Sequence, residues 1–348
     1  PRDGLRQLPA FLALAPRLKA VRGAAEFLMH RLDAAVEHLG DPDLANDPHV
    51  KLWLAAARQA RNDPGDRSPV FDEHGGLIRD YPEEMKLRIA FLGIEAALDH
   101  GEDGIAQRFL DAVETERDDG FEPRQEARML FLQGRFQELI GAFDVAVERY
   151  TDALEAGDRY YRGKATLARA ELMLRLERIS TGEAIEELEK LRFTWRGGPF
   201  EFNLLRRLGE LYVAQGDYRN GLRTLKTLTI AFRDHPDIPE VTRMMSDAFR
   251  SLYLDGAADR LSPLRAIALY DEFRELTPSG PDGDKMIRRL ADRLVSVDLL
   301  DRAAELLNHQ VRFRLEGEQK ARVGARLAFV QLLNRQPQEA LDALDQTA

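Results

Sequence analysis

The side chains best suited to chemistry in this 348-residue chain are seven histidines, His30, His38, His49, His74, His100, His235 and His309, and an abundance of carboxylates. Two imidazoles four residues apart on a helix would converge on zinc. None of the seven has that spacing, and most fall beside expected helix ends. Glu102-Asp103 and Asp282-Gly283-Asp284 offer oxygens to a cation but lack the alternating ligands and terminal Glu of a calcium loop. With no cysteine there is no thiolate nucleophile, disulfide framework or Cys-ligated metal. A Gly-rich phosphate loop ending in Lys-Ser or Lys-Thr is missing, as is a G-x-S-x-G elbow. Carboxylates could act together in the 62–82 stretch, through Asp66, Asp72, Glu73 and Asp80, but a loop without a pocket seldom holds acids at working geometry. The expectation is a protein that is not an enzyme and uses no metal and no cofactor.

Lys+Arg number 50 against 60 Asp+Glu, a net charge of −10 that disfavours a broad nucleic-acid or anionic-membrane surface. No run of about 18 apolar residues exists, so no transmembrane helix is expected. Hydrophobic residues at 44% permit a core, and the length exceeds what one core usually serves. Apolar residues recur at three- and four-residue spacing between Gly, Pro, Asp and Asn breaks, which predicts an all-α fold. Pro64, Gly65, Pro69, Gly75, Gly76 and Pro82 crowd the one stretch where that rhythm fails. A loop and a boundary are expected there: an N-terminal helical capping segment over 1–61, with helices near 17–39 and 49–61, a Pro/Gly-rich loop over 62–82, and a repeat array over 83–348. The opening Pro1 and a last unit that stops inside its second helix suggest a fragment or a processed chain.

A small residue followed four positions later by a large one recurs as Ala106/Leu110, Ala146/Tyr150, Ala184/Leu188, Gly221/Leu225, Ala266/Tyr270, Ala303/Leu307 and Ala340/Leu344. The near-constant period of about 37 residues indicates stacked helix pairs. At these positions the sequence resembles the tetratricopeptide repeat (TPR) family. In Asn203–Pro236, Leu205, Leu208, Gly209, Tyr212, Gly216, Tyr218, Gly221 and Leu225 fall on the family pattern, with Pro236 three residues late. Leu130, Gly134, Phe143, Ala146, Tyr150 and Ala153 mark a second copy; Ile287, Leu290, Ala291, Leu294, Leu300, Ala303 and Leu307 a third; Leu327, Ala328, Ala340 and Leu344 a last. The copies around Ala106, Ala184 and Ala266 are degenerate. Leu191–Gly198 and Ala266–Pro278 are also similar to the later part of large, uncharacterised bacterial TPR-containing proteins.

The resemblance implies an α-solenoid of stacked antiparallel helix pairs in a right-handed superhelix, with an inner groove lined by first-helix positions 2, 5 and 9. In the clear copies these hold Arg128, Phe131 and Arg135; Asn203, Arg206 and Glu210; Lys285, Arg288 and Asp292; Arg322, Ala325 and Ala328. Six of the twelve are basic and two acidic, against the sign of the whole chain. The partner-binding residues expected are therefore Arg128, Arg135, Asn203, Arg206, Lys285, Arg288 and Arg322, gripping an acidic protein or peptide segment, because guanidinium forks match carboxylates. The alternative is a structural subunit of a bacterial cell-envelope machine for motility, secretion or wall assembly, using lateral and end faces. Zero Cys and a processed start weigh toward a periplasmic or envelope location over a cytoplasmic one.

Glu95–Glu126 holds eleven acids and three bases while Lys285–Arg326 holds ten bases and six acids, so charge is polarised along the chain, for which a solvated face is the commoner cause. Phe193, Trp195, Phe200 and Phe202 flank Arg196-Gly197-Gly198, read as a turn pinned to the core and not as an exposed anchor. Asp217 and Ser180 suit helix caps, Pro263 and Pro337 first turns, and Gly157 and Gly256 stops. Enlarging a small residue of the repeat should overpack the hairpin: Ala146→Leu and Ala303→Phe are each expected to cost about 1–3 kcal/mol, read as a lowered thermal midpoint, and unchanged midpoints in both would refute the register.

Overall fold

The computed structural model describes residues 4–114 and 121–347, with side chains placed from residue 16 onward except those of 114–120. Among the described residues all regular structure is helical, and the chain divides into two units, Pro1–Ile179 and Ser180–Ala348. The first unit comprises α1 (Gly4–Leu28), α2 (Leu32–Leu39), α3 (Pro48–Arg61), α4 (Ser68–His74), α5 (Glu83–His100), α6 (Asp103–Glu114), α7 (Pro123–Leu139), α8 (Phe143–Glu155) and α9 (Arg159–Arg175). The second comprises α10 (Thr181–Thr194), α11 (Gly198–Ala214), α12 (Tyr218–Ala231), α13 (Ile238–Leu254), α14 (Pro263–Glu272), α15 (Pro281–Ser296), α16 (Leu300–Phe313), α17 (Gly317–Leu333) and α18 (Pro337–Asp345). Sequential helices pack antiparallel as hairpins, such as α5 with α6, α7 with α8, α11 with α12 and α15 with α16, and each second helix then receives the next first helix, as α8 does α9 and α16 does α17. The fold is an all-α solenoid.

The small-then-large pairs all fall on second helices. Every small member is buried, and so is every large member except Leu344. In two of the hairpins a glycine on the facing first helix leaves room for the large side chain. A Cβ on Gly134 would sit 2.5 Å from the Tyr150 ring, and one on Gly209 2.5 Å from Leu225. Tyr150 then spends its hydroxyl on Glu138, 2.8 Å away on the same first helix as Gly134. Burial of Tyr150 beside that carboxylate drives its phenol far above the ordinary range, so it stays a neutral donor.

Local signals set the helix ends. Asp217 accepts from the Asn220 amide, Ser180 and Glu183 form a reciprocal capping box, and Pro263 and Pro337 sit in first turns. The turn inside a hairpin needs one left-handed residue. Gly101, Gly141 and Gly216 supply it in three hairpins, but Asp298 and Arg335 adopt it in two others.

Three expectations are corrected. The 62–82 stretch is not a loop: it holds α4 and a 3-10 turn over Gly75–Asp80, because Pro69 lies in a first turn, where its missing N–H is not needed, and Asp66 caps Ser68 through both amide and hydroxyl. It is not a boundary either. Phe71 and Ile78 are buried, α3 packs on α5, Gln59 donates to Asp99 at 3.0 Å, and one apolar core runs from Ala20 to Leu172. Residues 1–61 are thus part of the first unit, and the division falls at Ile179/Ser180. The helix expected over 17–39 breaks at His30, whose φ is 61°.

Gly134→Ala is expected to lose about 1–3 kcal/mol, because the new methyl meets a ring that cannot withdraw. Gly104→Ala, whose Cβ would meet nothing within 4 Å, should gain about 0.4–1 kcal/mol through the unfolded chain. Chemical denaturation of the two variants checks the pair, and equal shifts would refute the interlock.

Candidate functional site

Several arginines are engaged with a carboxylate about one repeat back along the chain. In the first unit the Arg128 guanidinium donates to Glu95 through Nη2 at 2.9 Å and Nε at 3.2 Å, across a separation of 33 residues. Arg135 reaches Asp99 at 3.0 Å across 36, Arg175 reaches Glu138 at 2.8 Å across 37, and Arg178 reaches Asp144 at 2.6 Å across 34. In the second unit Arg302 pairs with Asp271 at 2.5 Å across 31 residues, and Arg326 with Asp292 at 2.9 Å across 34. Arg206 pairs forward instead, with Glu240 at 2.7 Å across 34, and also holds Glu210 at 3.3 Å. The separations are close to the repeat period, so these bonds tie consecutive hairpins together.

This ladder changes the standing of the seven expected groove residues. Arg128 and Arg135, on α7, are committed to carboxylates of α5, and Arg206 to acids of α11 and α13. Arg322 is exposed and holds only Glu318 of its own helix, at 2.9 Å. Asn203 and Lys285 are exposed. Lys285 and Arg288 form no ion pair with another described residue. Arg288 and Arg322 come together with Glu318 and Gln319 around a hollow of about 490 Å³, and with Val323 and Phe329 around an adjoining one.

The larger hollow, about 670 Å³, lies in the first unit and includes only Arg128 of the seven. Helix α5 gives it Glu84, Arg88, Phe91 and Glu95; α7 gives Arg124 and Arg128; α9 gives Tyr160, Tyr161 and Lys164. Phe91 and Tyr161 are buried and form its floor. The Arg128 guanidinium lies 4.8 Å over the Phe91 ring, and the Lys164 ammonium 5.1 Å from Tyr160 and 5.3 Å from Phe131. Arg88 donates to the Leu28 carbonyl at 2.5 Å and stacks on Phe27, and burial pulls its pKa below the ordinary arginine value. Burial likewise pushes the Tyr161 phenol up. Four cations therefore face two carboxylates, and neither Arg124 nor Lys164 is ion-paired with a described residue. Sequence reasoning missed Arg88, Arg124, Tyr160 and Lys164 because α5 and α9 carry degenerate copies. The usable signal was local: Arg88, Phe91 and Glu95 on one helical stripe, and Tyr160, Tyr161 and Lys164 on another.

Elsewhere the candidate chemistry resolves into structure. Asp66 accepts from the buried Ser68 hydroxyl at 2.6 Å and stands 3.3 Å from His100 Nδ1, so the acid lies between serine and imidazole and no base activates the hydroxyl. Asp72 is ion-paired to Arg108. No group of three or more His, Asp or Glu side chains among the described residues could hold a metal ion. No helix there is long and apolar enough to cross a membrane. Of the aromatic cluster, Phe200 and Phe202 are buried and Trp195 packs edge-on to Phe200, as a pinned turn requires, but Phe193 is 80% exposed and not part of that turn's core.

Fold and site define a repeat array of helix hairpins carrying a cationic, aromatic-floored hollow. No family model matches the chain, and no curated protein does. Among solved structures it is similar to the apo form of RapI, at 10% identity over 96% of each chain with a TM-score of 0.47. It is similar also to the apo form of the quorum sensor NprR from B. thuringiensis, at 12% identity over 88% of this chain and 100% of that one, TM-score 0.41. The TPR domain of P58(IPK) is a third, at 14% identity over 96% and 92%, TM-score 0.29.

Because Arg206 sits among Glu210, Asp237 and Glu240, Arg206→Glu is expected to destabilise by about 1–2 kcal/mol, two half-exposed pairs lost and a like charge added. Arg288→Glu, with no pair to lose, should stay within about 0.5 kcal/mol. Urea midpoints distinguish them, and equal midpoints would show the ladder to be energetically idle.

Proposed function

We propose that the chain is a non-catalytic interaction scaffold that binds an acidic partner segment, with the hollow of the first unit as its principal grip. The observation that carries this reading is the pairing of a buried aromatic floor, Phe91 and Tyr161, with two cations, Arg124 and Lys164, that the repeat ladder leaves unspent. An apolar side chain of the guest enters over the rings, and a neighbouring carboxylate meets the ammonium and guanidinium at the rim. Arg128 cannot serve as a free fork, because Glu95 already occupies it; it positions Phe91 from above.

In the second unit Lys285, Arg288 and Arg322, with Asn203 among the exposed polar residues, offer a separate, shallower cationic surface for an acidic partner. Arg135 and Arg206 contribute to binding only through the helices they hold in register.

Fluorescence anisotropy with a set of labelled peptides, each alternating Glu or Asp with Leu or Phe, tests the grip. Arg124→Glu with Lys164→Glu should weaken the best binder about tenfold or more, about 1.4 kcal/mol, with helicity unchanged, and raised salt should weaken the unaltered chain in the same direction. Undiminished affinity in the double variant would overturn the assignment of the hollow.

A further inference from the structure

We propose that the acidic group the first-unit hollow is built to take is a phosphate monoester borne on an aromatic ring, as in a peptide segment phosphorylated on tyrosine. The inference rests on the acidic-segment reading and names the chemistry of its guest. Two properties of the hollow point the same way: the positive charge it leaves uncompensated, and the surface that lies beneath that charge.

Within the lining, Glu95 cancels Arg128, to which it is bonded at 2.9 Å. Burial lowers the pKa of Arg88 and the Glu84 carboxylate opposes that shift, which sets the second acid against Arg88. Arg88 is further held by the Leu28 carbonyl and by His30 Nδ1, to which it donates at 3.0 Å. Two positive charges remain, on Arg124 and Lys164. A carboxylate guest neutralises one of them and leaves the other exposed to it. A phosphate monoester carries a charge of about −1.5 to −2 at pH 7 and three strong acceptor oxygens, so it meets both together. The Arg124 guanidinium offers a planar fork to two of those oxygens, and the Lys164 ammonium a compact charge to the third. Because the whole chain, at −10, repels a dianion, retention depends on these local groups and not on the general field.

The floor decides what bears the phosphate. Phe91 and Tyr161 are buried, the Lys164 ammonium lies 5.9 Å from the Tyr161 ring, and the partly exposed Tyr160 stands 5.1 Å from the same ammonium. A phosphorylated serine would bring the charge but leave these rings facing water. A guest ring covers them, in offset or edge-on contact, while its phosphate reaches the cations at the rim. At about 670 Å³ the hollow has the size that encloses a small ligand, which admits the ring, its phosphate and part of a flanking residue.

Fluorescence anisotropy with the 348-residue chain and one short labelled peptide, Glu and Leu flanking a central residue that alone is varied, tests this. Central phosphotyrosine should bind about tenfold or more tighter than sulfotyrosine, which keeps the ring and shape but carries a single charge, and than phosphoserine, which keeps the charge but lacks the ring. Arg124→Gln and Lys164→Gln should each bring phosphotyrosine down to the sulfotyrosine level, with helicity unchanged. Phosphotyrosine binding no tighter than sulfotyrosine or phosphoserine would overturn the inference. Free phenyl phosphate should displace the peptide only at far higher concentration than the unlabelled peptide does; equal displacement would assign the hollow to a small molecule and overturn the segment. If the glutamate peptide binds as tightly as the phosphotyrosine one and Arg124→Glu with Lys164→Glu weakens both, the acidic-segment reading stands and the phosphate assignment alone fails. If no peptide of the set binds, both fail.

Discussion

The structure depends on one steric fit: a first helix without a side chain at one point, and a second helix that puts a large one there. Gly134 against Tyr150 and Gly209 against Leu225 bring two backbones closer than any Cβ would allow, and the ring or leucine then fills the space that the approach creates. Seven second helices repeat the small-then-large pair four residues apart, which gives their hairpins a common packing rule. Everything built on the hairpins inherits that regularity.

The polar ladder is its first consequence. An arginine can meet a carboxylate one repeat away only if consecutive hairpins present the same height and rotation, and the recurring separations of 31 to 37 residues show that they do. Individually such half-exposed pairs contribute little. Collectively they decide which cations are available to a guest, since in a chain with ten more acids than bases most guanidinium groups find an internal partner. Arg124 and Lys164 stand outside the ladder: Lys164 lies over aromatic rings, and Arg124 shares the hollow with Glu84 and Glu95 without an ion pair to a described residue. The Lys164 ammonium faces three rings, those of Phe131, Tyr160 and Tyr161.

How far this was legible from the sequence depends on the length scale of each signal. Ala146/Tyr150 and its equivalents revealed the period, the all-helical class and the place of seven second helices, because a steric rule repeated seven times survives degeneracy elsewhere. The proline-rich 62–82 stretch misled, since Pro69 ends a helix in one position and begins it in another, and only the caps formed by Asp66 and the burial of Phe71 reveal which. Hairpin turns at Asp298 and Arg335 carry no glycine to announce them. The groove reading took Arg128, Arg135 and Arg206 as groove residues but could not see that carboxylates from neighbouring repeats pair with them. Ion pairing across 33 residues is invisible to a reading made copy by copy.

In a repeat array, periodicity makes positions interchangeable, and an interchangeable position cannot confer specificity. Selective binding must then arise where the repeat fails to satisfy itself. One such place stands out among the described residues: where α5 and α9 flank α7, the ladder's Arg128–Glu95 pair is joined by rings and by two cations, Arg124 and Lys164, outside the ladder. There the departure from regularity that degrades the repeat as a pattern also leaves a rimmed, aromatic-floored hollow that the regular hairpins do not offer.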